Sequence, residues 1–149
     1  MILMSAEDSV ERILTPRLEV AGADLARCHI LPPAESTQQA VEWIEQELEH
    51  LPNGGRGTIV GVDPITAFMG NKDPNTVTNV RAALRPFVEM GWRRRVTVIV
   101  VHHLTKSLEG RALSGSGGGW DRIGGNAAVQ MFSDAKGSVR LAFEKKSRR

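Results

Sequence analysis

Short apolar, β-branched runs alternate along this chain with segments whose apolar residues recur every three or four positions. That alternation admits few folds beyond a mostly parallel sheet covered by helices. Ile2-Leu3-Met4 is the first candidate strand, entered so abruptly that the chain reads as if it began inside a domain. Asp8 and Glu11 suit the start of a helix that would bury Val10, Ile13, Leu14, Leu18 and Ala21. Pro16 should kink or divide that helix, because it has no N–H to continue the ladder. Gly22 can close it before a short strand over Cys28–Leu31.

The middle of the chain repeats the pattern. Ser36 and Gln39 have capping-box spacing ahead of Ala40, Trp43, Ile44, Leu48 and Leu51, and the run PNGG at 52–55 ends that helix. Thr58–Val62 reads as a strand bounded by Asp63-Pro64. Asn75 or Thr76 can cap a third helix using Val77, Val80, Leu84, Phe87 and Val88, with a bend expected at Pro86 and a stop at Gly91. Val96–Val101 is apolar and mostly β-branched, as expected of a strand covered on both faces. Ala127–Phe132 and Val139–Phe143 read as a hairpin turned at 134–137. Six glycines between Ser114 and Gly125 predict a mobile loop around Trp120.

With 149 residues the chain fits one domain spanning 1–149. A single cysteine, Cys28, excludes an internal disulfide, and a reducing, cytoplasmic setting is the expectation. No run approaches the roughly 20 apolar residues of a membrane helix, so no membrane partner is expected. Residues 7–50 carry ten acidic and three basic side chains, whereas 81–149 carry five and fourteen. The later half could therefore steer an acidic neighbour or a nucleic acid, or simply present a solvated basic surface.

Polar groups terminate three of the apolar runs. Glu7 and Asp8 follow the first, Asp63 follows Ile59–Val62, and His102-His103 follow Val96–Val101. In parallel strands such ends share one edge, where open α/β sheets place their ligands. A carboxylate at Asp63 can hold Mg²⁺, one at Glu7 can orient a hydrolytic water, and an imidazole can bond a phosphate. Each also has a plainer reading: Asp63-Pro64 as a turn, Glu7 and Asp8 as charge at a helix start, and one histidine as structural.

The ordered motifs SAED, VAGADLARCHIL, GVDPITAFMG, VRAALRPF and VTVIVVHHLTKS resemble the RepA-like hexameric ATPases, AAA family members of the RecA and DnaB superfamily found in phage, plasmid and prophage replication modules. The resemblance covers nearly the whole chain. It implies a three-layer, mostly parallel RecA-like P-loop NTPase core with a C-terminal hairpin. It further implies ATP and Mg²⁺ as cofactors, a hexameric ring of identical subunits, and single-stranded DNA as a partner in replication or helicase work. By the same resemblance Glu7 is the catalytic glutamate, Asp63 the Walker B aspartate that supports the metal, and His103 the sensor with His102 beside it. Lys106 would lie just beyond the sensor. Lys145 or Lys146 would face a neighbour's nucleotide, Arg111 and Arg122 are candidate fingers, and the glycine-rich loop would face the ring channel.

No G-x-x-x-x-G-K-[ST] segment, the loop that cradles phosphate, occurs among the 149 residues, and GSGGGW at 115–120 lacks its lysine. In the resembled fold that loop and its strand precede SAED. The expectation is thus a core without its first strand, leaving Val96–Val101 either with an open edge or wrongly paired. One lost oxyanion donor costs about 3–4 kcal/mol of transition-state stabilisation in a protease, so a chain without the whole cradle should hydrolyse little ATP. The alternatives are a non-catalytic module for nucleic-acid binding or assembly, with phosphate contacts from Arg93, Arg94, Arg95 and the basic tail, or a decayed remnant.

Overall fold

The computed structural model describes residues 1–74 and 76–101 in full, apart from the side chain at position 77, together with the backbone of 127–133 and 139–145. Four parallel strands form one sheet: β1 (Ile2–Ser5), β2 (His29–Leu31), β3 (Ile59–Asp63) and β4 (Thr97–Val100), in the order β2-β1-β3-β4. Helices α1 (Thr15–Val20), α2 (Thr37–His50) and α3 (Val77–Arg94) connect them. The result is the α/β architecture expected from the alternating pattern, a parallel sheet flanked by helices in the manner of a RecA-like nucleotide-hydrolase core. Strands β5 (Ala127–Ser133) and β6 (Val139–Lys145) pair antiparallel as the expected hairpin, Ala127 opposite Lys145 and Ser133 opposite Val139.

The core follows from strand alternation. Ile2 and Met4 on β1 and Val60 and Val62 on β3 are fully buried, with Val98 and Val100 of β4 packed on the same cluster. Against them lie Ala40, Val41, Ile44 and Leu48 of α2 and Phe87 and Met90 of α3. Burying side chains of this size contributes about 1.5–3 kcal/mol each, so the helix pair is anchored chiefly by this layer. Leu3, Gly61 and Ile99 occupy the alternate row, and Ile99 remains 52% exposed. The expectation that β4 is covered on both faces is therefore wrong. Among the described residues it pairs with β3 alone.

Local signals held where they involve neighbours in sequence. Ser36 Oγ accepts from Gln39 N–H at 3.2 Å, and Gln39 Oε1 accepts from Glu35 N–H at 2.7 Å, a capping box displaced by one residue. Gly22, at φ +75°, closes α1: its N–H donates to the Glu19 carbonyl, and Ala23 N–H donates to that of Leu18. Both bonds belong to a Schellman turn. Pro16 falls in the first turn of α1, and the chain before it, Val10–Leu14, winds as a π-turn. The predicted helix is thus divided at that proline.

Two boundaries differ from expectation. Ser9, not Asp8, caps the π-turn by accepting from Arg12 N–H, while Asp8 instead pairs with Arg17 at 2.6 Å. Only Leu14 of the expected apolar face is buried there, and Val10 is exposed. Nor does Gly91 stop α3, which runs on through Pro86 and Gly91 to Arg94 and ends where Arg95 adopts a left-handed conformation at φ 56°. The extra turn is held by α2: Arg93 reaches Glu45 at 2.8 Å, and Arg94 reaches Glu45 at 2.9 Å and Glu49 at 2.8 Å. Such charge-assisted bonds outweigh the ~1 kcal/mol cost of a helical glycine.

Candidate functional site

Parallel register decides which side chains meet. Ser5 lies opposite Asp63 as the last pair between β1 and β3, and Ala6 N–H donates to the Asp63 carbonyl at 3.0 Å. On the far side of β3, Val101 N–H donates to the Val62 carbonyl at 2.9 Å, and Ile65 N–H returns to the Val101 carbonyl at 3.0 Å. The carboxyl ends of β1, β3 and β4 thus form one edge, with Asp63 at its centre and Glu7 two residues beyond Ser5.

At that edge the polar atoms are unevenly exposed. The Ser5 side chain is buried, and its Oγ has no hydrogen-bond partner among the described residues. Asp63 Oδ1 is equally inaccessible to solvent. Burying a hydroxyl without compensation costs about 1–3 kcal/mol, so Ser5 marks a place where a further polar group or ion is accommodated. Glu7 by contrast is exposed, and its neighbour Asp8 is paired with Arg17.

Oxygen donors of this kind suit a hard divalent cation such as Mg²⁺, which keeps most of its water and takes one or two carboxylates. Among the described residues no group of three or more His, Cys, Asp or Glu side chains forms a metal cage. Asp63, with the Ser5 hydroxyl beside it in register, is the element that fits. No G-x-x-x-x-G-K-[ST] loop of aligned amides with a lysine occurs among the 149 residues.

Of the remaining residues read from the sequence, His102, His103, Lys106, Arg111, Arg122 and Lys146 lie outside the described residues, as do the glycine-rich loop, Asn75 and the 134–137 turn. Lys145 ends β6, and only its backbone is described. The basic run Arg93-Arg94-Arg95 is a correction: the first two guanidinium groups hold Glu45 and Glu49 of α2, so the run is not the uniform phosphate-binding surface it suggests. Partial burial pushes the Glu45 carboxyl up, yet the Arg94 and Arg93 hydrogen bonds and charges prevail and hold it below its ordinary value of 4.5. Sequence reasoning passed over Ser5, because a serine ending a strand carries no pattern until its neighbour across the sheet is known.

A shallow cleft between β2 and α2, lined by Leu31, Pro32, Trp43, Gln46, Glu47 and His50, contains neither Glu7 nor Asp63. On its margin His29 Nδ1 and Glu47 Oε1 lie 2.7 Å apart. Among the described residues no helix is long and apolar enough to cross a membrane.

The model of a family described as AAA domain matches residues 1–109, which include all four strands of the sheet and the carboxylate edge. No curated protein and no solved structure matches the chain.

Proposed function

Because the chain belongs to the AAA domain family, we propose that its carboxylate edge is the metal and water half of a Mg-ATP site. The observation that carries this reading is the register that sets Ser5 beside Asp63 at the mouth of the sheet, with Glu7 just beyond. In it Asp63 holds Mg²⁺ through water, and the ion supplies charge neutralisation to phosphate when bound. Glu7 orients a water molecule from the exposed side. His103, with His102 beside it, is the sensor that follows β4, while Lys106 and Lys145 are the cations nearest to nucleotide. The domain extends over 1–149, in a cytoplasmic setting, and the RepA-like ring with single-stranded DNA in its channel is the assembly this reading presupposes.

Among the 149 residues no G-x-x-x-x-G-K-[ST] loop aligns phosphate, so these residues by themselves should turn over little ATP. Titration of the full chain with Mn²⁺, a paramagnetic substitute for Mg²⁺, tests the metal half. Amide signals of Ser5, Asp63 and Val101 should broaden first, and Asp63→Asn should abolish the effect while Glu7→Gln preserves it. Broadening centred elsewhere, or unchanged in Asp63→Asn, defeats the assignment. ATP turnover by the chain alone should stay at the buffer background. A Glu7-dependent rate above it would show that the half-site reading is too modest.

A further inference from the structure

Within the sheet, the row of side chains that holds Ser5 offers it one polar neighbour. Ile2, Met4, Val60 and Val62 belong to the core, so Leu3, Ser5, Gly61 and Asp63 share the other face by strand alternation. Leu3 leans over Gly61, where a Cβ would lie 3.0 Å from Leu3 Cδ1, and this hydrocarbon lies along the strands beside the pair. On the β2 side comes Pro32, next after the Leu31 that pairs with Met4. On the β4 side comes Val101, next after the Val100 that pairs with Val62. Leucine, proline and valine side chains neither donate nor accept a hydrogen bond. Asp63, directly opposite Ser5 in register, can accept one.

The two groups also match in kind. Ser5 is 6% exposed, and its Oγ has no hydrogen-bond partner among the described residues. A hydroxyl has one proton to donate, whereas an ionised carboxylate only accepts and has about four lone-pair sites. Asp63 can therefore take a bond from Ser5 in addition to those it already makes. Its Oδ1 is sealed from solvent, as Ser5 Oγ is. Neighbouring strands lie about 4.8 Å apart, so a change of χ1 at Ser5 between staggered wells brings the hydroxyl within reach of Oδ1 without backbone movement.

We propose that Ser5 is the positioning residue of Asp63: its hydroxyl donates to the sealed oxygen, Oδ1, and leaves the other carboxylate oxygen to meet a hydrated divalent cation. The inference rests on the reading of Asp63 as the carboxylate of the metal site. The hydroxyl costs the fold free energy as long as it lacks a partner, and it gains one when a cation fixes the plane of the Asp63 carboxylate. One atom thus acts with opposite sign on the chain with and without the ion. A hydroxyl with a purely structural role would act alike on both.

Urea unfolding of the full chain with and without Mn²⁺, run beside the Mn²⁺ titration of its amide signals, tests the proposal. Ser5→Ala removes one oxygen and should fold. It should raise the urea midpoint without the ion. It should also weaken Mn²⁺ binding about tenfold, the lower end for an outer partner of a metal ligand, so that the ion stabilises the variant less than the parent. Equal Mn²⁺ affinity in parent and Ser5→Ala overturns the proposal, as does a midpoint raised equally with and without the ion. Asp63→Asn separates the two readings. If that variant broadens as the parent does, the metal reading itself falls and this inference with it; loss in Asp63→Asn without loss in Ser5→Ala removes the role of Ser5 alone.

Discussion

Ser5 and Asp63 are partners across the β1–β3 ladder, and each contributes a side-chain oxygen sealed from solvent at the carboxyl edge of the sheet. The hydroxyl weakens the fold in the absence of a ligand. Ser5→Ala should therefore stabilise the chain by about 1 kcal/mol, seen as a higher urea midpoint with an unchanged slope. If the oxygen serves the metal, the same variant should lose part of the stabilisation that Mg²⁺ gives the parent. A lower urea midpoint without metal would contradict the first expectation.

The Glu45 carboxylate joins α2 to the last turn of α3 through Arg93 and Arg94. Glu45→Gln should cost about 1–2 kcal/mol at neutral pH, since one oxygen serves two guanidinium groups. Its pKa is depressed in the folded chain, so the stability it confers is present above its unfolded value and is lost as pH falls through the lower folded one. Denaturation followed from pH 7 to below pH 4 should show a decline that is shallower in the Gln variant. Parallel profiles would show that the carboxylate contributes nothing through its charge.

Gly54 and Gly55 adopt similar left-handed conformations, φ +62° and +70°, but differ in surroundings. A Cβ on Gly54 meets nothing within 4 Å, whereas one on Gly55 would lie 2.3 Å from Leu48 Cδ2. Both alanine variants bear the ~1–2 kcal/mol left-handed penalty. Gly55→Ala should lose a further ~1–3 kcal/mol from overpacking. Equal melting shifts for the two would mean that Leu48 moves aside freely.

Ser36 Oγ caps α2 by accepting from Gln39 N–H. Ser36→Ala should cost about 1 kcal/mol, and Ser36→Asp should retain most of that stability, since a carboxylate can also cap and suits the helix dipole. Thermal melts of the two variants against the parent check this, and equal losses would remove the cap from the account.

Element order was legible in the sequence because it rests on local chemistry. The short apolar runs became β1, β3 and β4, Ser36 and Gln39 marked α2, and Gly22 closed α1. These signals act within one or two turns of chain, where propensity, capping and patterning operate. The edge to which Glu7 and Asp63 belong was also legible, since parallel strands deliver their ends to one side.

The end of α3 was not, because Gly91 is locally a fair stop and the bonds that override it come from Glu45 and Glu49, more than forty residues earlier. For the same reason Asp8 read as a cap, although its partner is Arg17, and Arg93-Arg94 read as free cations. The burial of Ser5 beside Asp63 depends on register between strands more than fifty residues apart. Amino-acid order set the period and punctuation of each element. Only packing decided which charges were neutralised and which oxygens lost their water, because those outcomes belong to pairs of residues that the chain itself keeps far apart.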